Sequence, residues 1–211
     1  MSADLAIRCR CGKLEGRLRD ASPGAGRRVT CYCDDCQAFQ HALGQADTVL
    51  DAHGGTDIYQ VTPAKLELTR GLEQLACLRL TPRGTLRWYA ACCNTPIGNT
   101  LATPALPFVG LVTACLQSDA GLDATIGPPG RGVFGRYARG DRAEIDAHDA
   151  APLALYADFL LRVLGRRLRG DHQRSPFFDP ATGRPRAEPW VLDATELAAI
   201  RKQTRRAGGE G

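Results

Sequence analysis

The sequence predicts an α+β protein. A mainly β, metal-binding domain spans residues 1–142, and an α-helical extension covers 143–211. Three observations carry this reading. Short apolar runs separated by turn signals fill the N-terminal two thirds. Apolar residues take helical spacing from Tyr156 onward. All nine cysteines lie between Cys9 and Cys115.

The strands come first. Leu14, Gly16 and Leu18 alternate with Lys13, Glu15, Arg17 and Arg19, as in a half-exposed strand. Runs at 58–61 and 66–69 flank a Thr62-Pro63 turn. Runs at 75–80 and 86–90 flank the turn-rich 81–85 segment and predict a hairpin. Residues 108–116 form a further strand candidate, although periodicity also allows a helix there. The Gly127-Pro-Pro-Gly-Arg-Gly132 stretch is a loop by composition and divides the chain near 127–142.

The tail reads differently. Tyr156, Phe159, Leu160, Val163 and Leu164 follow helical spacing, with Arg162, Arg166 and Arg169 at the other positions. The apolar stripe needs a cover, either the β domain or a second subunit, and the β domain is preferred. Asp193 and Glu196 form a capping-box pattern for a helix running to about Arg205. A proline-rich connector at 175–189 joins the two helices.

Composition sets the class. The chain has 211 residues, 44% hydrophobic and 24% charged, which is ordinary for a globular domain and argues against wholesale disorder. The formal charge of +4 is mild and does not imply a nucleic-acid partner. The N-terminus lacks a secretory pattern, and no apolar run is long enough for a membrane span, so a cytoplasmic location is expected. Thiols stay reduced there. A chain this long buries a core without covalent staples, so clustered cysteines read as metal ligands or catalytic groups.

Cys31, Cys33 and Cys36 stand in C-x-C-x-x-C spacing. This places three thiolates on one tight turn, a knuckle suited to tetrahedral Zn²⁺ with the fourth position open or filled from elsewhere. Cys9 and Cys11 supply two more thiols, and Gly12 permits the bend after them. Their natural partners are Cys92 and Cys93, which gives a closed, split structural site. Neighbours on a strand point to opposite faces, so both can bind only if the backbone turns, and Asn94-Thr95-Pro96 makes a turn plausible. The alternative has Cys93 completing the site while Cys92 either joins it or faces the other metal. Cys77 and Cys115 read as small buried core residues.

These motifs resemble the glutathione-dependent formaldehyde-activating enzyme family, which includes centromere protein V. The resemblance covers roughly residues 5–140 and implies a β-tent zinc fold. It implies that Cys9 and Cys11 join late cysteines around a structural zinc. It also implies that Cys31, Cys33 and Cys36 hold a second, catalytic zinc. Aligning Cys93-Asn94-Thr95-Pro96 with the family's Cys-Gly-Thr-Pro puts Cys93 on the second late cysteine and Ala90 on the first, with Cys92 as the substitute. The family commonly has His where Tyr32 stands. These departures mark a divergent branch.

Three thiolates with Zn²⁺ sum to −1, a weak Lewis acid well suited to binding another sulfur. A coordinating thiol loses its proton and becomes nucleophilic near neutral pH. That chemistry fits thiol addition to an aldehyde and its reverse, a carbon–sulfur lyase reaction. The resemblance implies a small thiol such as glutathione and a small carbonyl compound, formaldehyde, as partners. Asp34 and Asp35 are a proton acceptor or, preferably, helix caps. His41 is a fourth ligand or, preferably, a nearby or surface residue. His53, His148 and His172 read as solvated. Arg28, Arg79 and Arg87 are candidates for carboxylate binding, with ordinary surface charge the favoured reading of each. A second class of function is a zinc-stabilised binding module using Arg162, Arg166, Arg167, Arg169 and Arg174, a face that more commonly is simply solvated.

Overall fold

A computed structural model describes residues 2–206; residues 207–211 of the expected extension lie outside them. In chain order the elements are β1 (Ala3–Arg8), β2 (Glu15–Ala21), β3 (Arg27–Cys31), α1 (Asp34–Ala42), α2 (Ala46–Val49), β4 (Thr56–Val61), β5 (Leu66–Arg70), β6 (Leu75–Arg79), β7 (Leu86–Ala90) and β8 (Thr95–Thr100). There follow β9 (Val109–Val112), β10 (Leu116–Gln117), α3 (Leu122–Ile126), β11 (Gly130–Val133), α4 (Leu153–Leu168), β12 (Trp190–Val191) and α5 (Ala194–Arg206). The fold is therefore mixed α+β with a C-terminal helix.

Two sheets form the frame. One has four strands in the order β10-β1-β2-β5, and the other eight in the order β11-β3-β4-β9-β8-β7-β6-β12. The β1–β2 and β7–β8 hairpins supply one tight turn from each sheet. Leu5 and Ile7 alternate inward on β1, opposite Leu18 and Gly16 of β2. They meet Tyr59, Trp88, Ile97 and Leu111 of the larger sheet in one buried core. Cys77 and Cys115 lie in that core.

Residues 108–116 are not one strand. β9 runs in the larger sheet, Thr113–Cys115 makes a 3₁₀ turn, and β10 pairs with β1 of the smaller sheet. The Cys115 thiol donates to Val112 O at 3.1 Å within that turn. A sheet switch needs such a bend, and periodicity does not record it.

The extension returns to the frame. In the connector, Phe177 and Phe178 pack against Trp88 with ring centroids 5.0 and 6.2 Å away. β12 then adds to β6 in parallel. Asp193 closes the expected capping box: its Oδ1 accepts from Glu196 N at 2.8 Å, and its N donates to Glu196 Oε2 at 3.0 Å. From α5, Leu197 and Ile200 pack with Ala38, Phe39 and Leu43 of the α1 region.

α4 is rotated from the expected orientation. Val163 is buried and Phe159 meets Phe108 edge-on, but Leu160 and Leu164 are exposed. Arg166, expected on the solvated side, is only 5% exposed. Ion pairing contributes to this rotation, because Asp158 of α4 accepts from Arg27 of β3 at 3.1 Å. Among the described residues, no helix is long and apolar enough to cross a membrane.

Candidate metal centres

Cys9 ends the β1 side of the first hairpin. Gly12 follows with φ +73° and closes the turn through its N–H to Cys9 O at 2.9 Å. Cys92 and Cys93 lie in the β7–β8 turn. Asn94 there has φ +54°, a conformation that asparagine tolerates better than most residues, and Cys93 N donates to Ala90 O at 3.3 Å. The backbone thus turns at the adjacent cysteines, and both sulfurs face Cys9 and Cys11. The separations are 3.6 Å for Cys9–Cys11, 3.7 Å for Cys9–Cys92, 3.3 Å for Cys11–Cys92 and 3.9 Å for Cys92–Cys93. A tetrahedral ion about 2.3 Å from each sulfur would set them roughly 3.8 Å apart. The four therefore fit one metal ion, and they join the two sheets.

Backbone and hydroxyl groups support these sulfurs. Leu14 N donates to Cys9 Sγ at 3.2 Å. Thr95 Oγ1 lies 3.1 Å from Cys93 Sγ and accepts from Arg10 N at 3.0 Å. Burial opposes ionisation of Cys93, but Thr95 and Cys11 outweigh it and lower its pKa to about 6. Thr95 is a supporting residue that the cysteine pattern alone did not single out. Its place two residues after Cys93 is the available signal.

The second cluster sits between β3 and α1. Cys31 ends the strand, and Cys33 is the helix N-cap, its sulfur and carbonyl accepting from Cys36 N at 3.4 and 3.0 Å. This corrects the expected role of Asp34 and Asp35. Both instead occupy the first turn, where carboxylates complement the helix dipole. Cys31 and Cys33 sulfurs are 3.4 Å apart, and the three knuckle sulfurs lie within 4.8 Å of one another. Cys31 and Cys36 are buried and Cys33 is half-buried. The knuckle can hold a metal ion with three protein sulfurs. Among the described residues, no histidine or carboxylate joins them within that distance.

Arg87 is the main departure from expectation. It is 4% exposed, not a surface charge. Its guanidinium lies over the Phe39 ring, donates to Asn99 Oδ1 at 3.2 Å and stands 3.5 Å from Asp35. Cys36 is held well below the ordinary thiol range. Contacts with Cys31 and Cys33 come first, and Arg87's charge and hydrogen bond add to them against burial. A cation placed there offsets thiolate charge. Asp35 also accepts from Arg201 of α5 at 3.1 Å, so the extension reaches this network.

The remaining candidates lie elsewhere. His41 Nε2 faces Arg139 Nη2 at 2.8 Å and belongs to no cluster of ligand atoms. Burial, then the Arg139 charge, lowers its pKa. His53, His148 and His172 are half-buried and belong to no cluster of ligand atoms. His53 Nδ1 contacts Arg139 O at 2.9 Å. Arg28 is committed to Asp57 and Asp123, and Arg79 donates to Pro82 O at 2.8 Å. A cavity of about 220 Å³ lies between the β3–β11 edge and α4. Val29, Val133, Phe134 and Leu155 line it and also pack with Cys31 and Cys36.

The chain belongs to a family of unknown function, DUF6151, whose profile matches residues 1–189. A search of curated proteins finds no match. A structural-genomics crystal structure of a Rhodobacter sphaeroides protein is similar at 17% identity and a TM-score of 0.40, over 59% of this chain and 96% of that one.

Proposed function

We propose that this DUF6151 member binds two zinc ions, one structural in the split site and one at a thiol-binding knuckle with carbon–sulfur lyase chemistry. Four sulfurs close the split site, whereas the knuckle supplies three; this difference carries the reading. All-cysteine donor sets favour zinc among common divalent ions. The motif resemblance to the glutathione-dependent formaldehyde-activating family supports the reaction class, with glutathione as thiol and formaldehyde as carbonyl. Reduced, clustered thiols fit a cytoplasmic setting.

Bound zinc would supply a lowered pKa to an incoming thiol at the fourth position. The chain's own residues do the rest. Cys31, Cys33 and Cys36 fix the sulfurs on one turn, and Arg87 offsets their charge from beneath. Half-buried Cys33 marks the side open to an incoming thiol. Asp35 is engaged by Arg87 and Arg201 and so is poorly placed to act as a free base. In the addition, the thiolate sulfur forms a bond to the carbonyl carbon. The carbonyl π pair moves to oxygen, which takes a proton. The reverse breaks that C–S bond and restores thiol and aldehyde. The apolar cavity beside the knuckle suits a small carbonyl better than a bulky one.

The test follows adduct formation from glutathione and formaldehyde above the spontaneous rate, with metal-loaded protein and with Cys33→Ser. Acceleration by the first and none by the second is expected. Equal rates with both metals retained in the native protein would reject the lyase reading.

A further inference from the structure

Arg162, Arg167 and Arg169 of the α4 region are exposed, as a solvated face requires, but Arg166 is buried. Arg162, Arg166 and Arg169 recur at helical spacing and line a cleft of about 970 Å³ between α4, the end of β2 and the Thr62–Lys65 turn. Arg19, Lys65 and Arg174 complete its cationic wall, against the two carboxylates Asp20 and Asp171. Six cations face two acids, and a third acid, Asp158, pairs with Arg162, which leaves a surplus of three.

Arg166 is the informative member. It is 5% exposed, and the Asp171 charge favours its ionised form without a close ion pair between the two. Burying an unpaired charge is costly. Its nearest acid, Asp171, is already engaged: Oδ2 accepts from Thr62 Oγ1 at 3.0 Å, and Oδ1 accepts from Arg174 at 3.1 Å. Arg162 is held by Asp158 at 2.8 Å, and Lys65 donates to Asp20 O at 3.0 Å. So Arg166 is a mostly covered fork that lines a cleft short of negative charge.

We propose that this cleft binds a small molecule bearing at least two phosphate-type oxyanions, with Arg166 as the buried anchor. Guanidinium forks match such oxyanions in bidentate geometry. The concavity and volume suit a small ligand. No aromatic side chain lines the cleft, so it lacks the stacking platform of a single-strand nucleic-acid site. No cysteine lines the cleft, although Arg162 and Arg166 also form part of the wall of the cavity beside the knuckle.

The test uses the metal-loaded full chain with fructose 1,6-bisphosphate as a bisphosphate probe and inorganic phosphate as a single-group probe, at constant ionic strength. Calorimetry should show one bisphosphate per chain, bound more tightly than phosphate. Arg166→Met should weaken this by about tenfold or more, and so should Arg19→Gln in the exposed wall, to a smaller degree. Without ligand, Arg166→Met should melt close to the native protein, which separates lost binding from lost folding. Absence of bisphosphate binding would overturn the proposal. Undiminished binding by both variants would do the same. So would preference for duplex DNA, or for anionic-lipid vesicles that the free bisphosphate fails to displace.

Discussion

The two cysteine clusters use the same ligand but differ in what they hold together. The split site joins turns 83 residues apart in sequence, from two different sheets. The knuckle joins residues within one six-residue turn between β3 and α1. A metal in the split site therefore replaces a long-range connection, whereas one in the knuckle only fixes a local shape. The long-range site has four sulfurs, and the local one has three backed by a buried arginine. Number of ligands and structural reach go together here: four sulfurs where two sheets meet, three within one turn.

Removing a split-site ligand should break the molecule. Cys92→Ser or Cys11→Ser is expected to lose one metal per chain and at least about 3 kcal/mol of stability, given that structural zinc contributes roughly 10–16 kcal/mol in finger peptides. Metal analysis with thermal melting checks this; retention of both metals and of the melting point would erase the distinction.

Arg87→Met comes next. It removes a buried guanidinium from Asn99, Asp35 and the Cys36 environment, at a cost of about 2 kcal/mol. Chelator competition should strip the knuckle metal faster while the split-site metal stays. Loss of both at equal rates would mean that Arg87 supports the whole sheet and not the knuckle.

Cys33→Ser should lose the knuckle metal alone. Its stability cost is expected below about 2 kcal/mol, because only one turn loosens and the α1–α5 packing persists. A collapse as severe as that of Cys92→Ser would show that the knuckle, too, is a staple.

The smallest effect concerns pH. His41 has a lowered folded pKa, so the folded state favours neutral imidazole. The unfolded chain then binds more protons below about pH 6.5. Stability should be complete above that value and decline as pH falls toward the folded pKa. His41→Gln should flatten the decline, and urea melts across pH 5 to 8 would read it. A slope unchanged by the substitution would place its origin elsewhere.

Both cysteine sets were legible because thiol spacing is local information. C-x-C-x-x-C specifies its own turn, and Cys9-x-Cys11-Gly12 needs only a bend. The geometry at Cys92 and Cys93 was half legible: Asn94 signalled a turn, but its left-handed backbone decides that both sulfurs face one way. The α+β class and the Asp193 capping box followed from periodicity. The sheet switch at Thr113–Cys115 did not, because an apolar run carries no record of which sheet each part joins. The rotation of α4 was hidden for a related reason. Hydrophobic patterning puts leucines inside, whereas Asp158 is turned toward Arg27 of β3 and Arg166 toward a cleft, both set by residues far away in sequence. Arg87 was visible as a charge on a strand, but its burial depends on α1 lying across that face.

The proposed roles require that the knuckle accepts an outside thiol and the split site does not. This is tested most directly by loading the protein with two Co²⁺ ions and following the visible sulfur-to-cobalt absorption while a small thiol is added. A saturable spectral change from one of the two ions, absent in Cys33→Ser, is expected. An unaltered spectrum with both ions bound would contradict it.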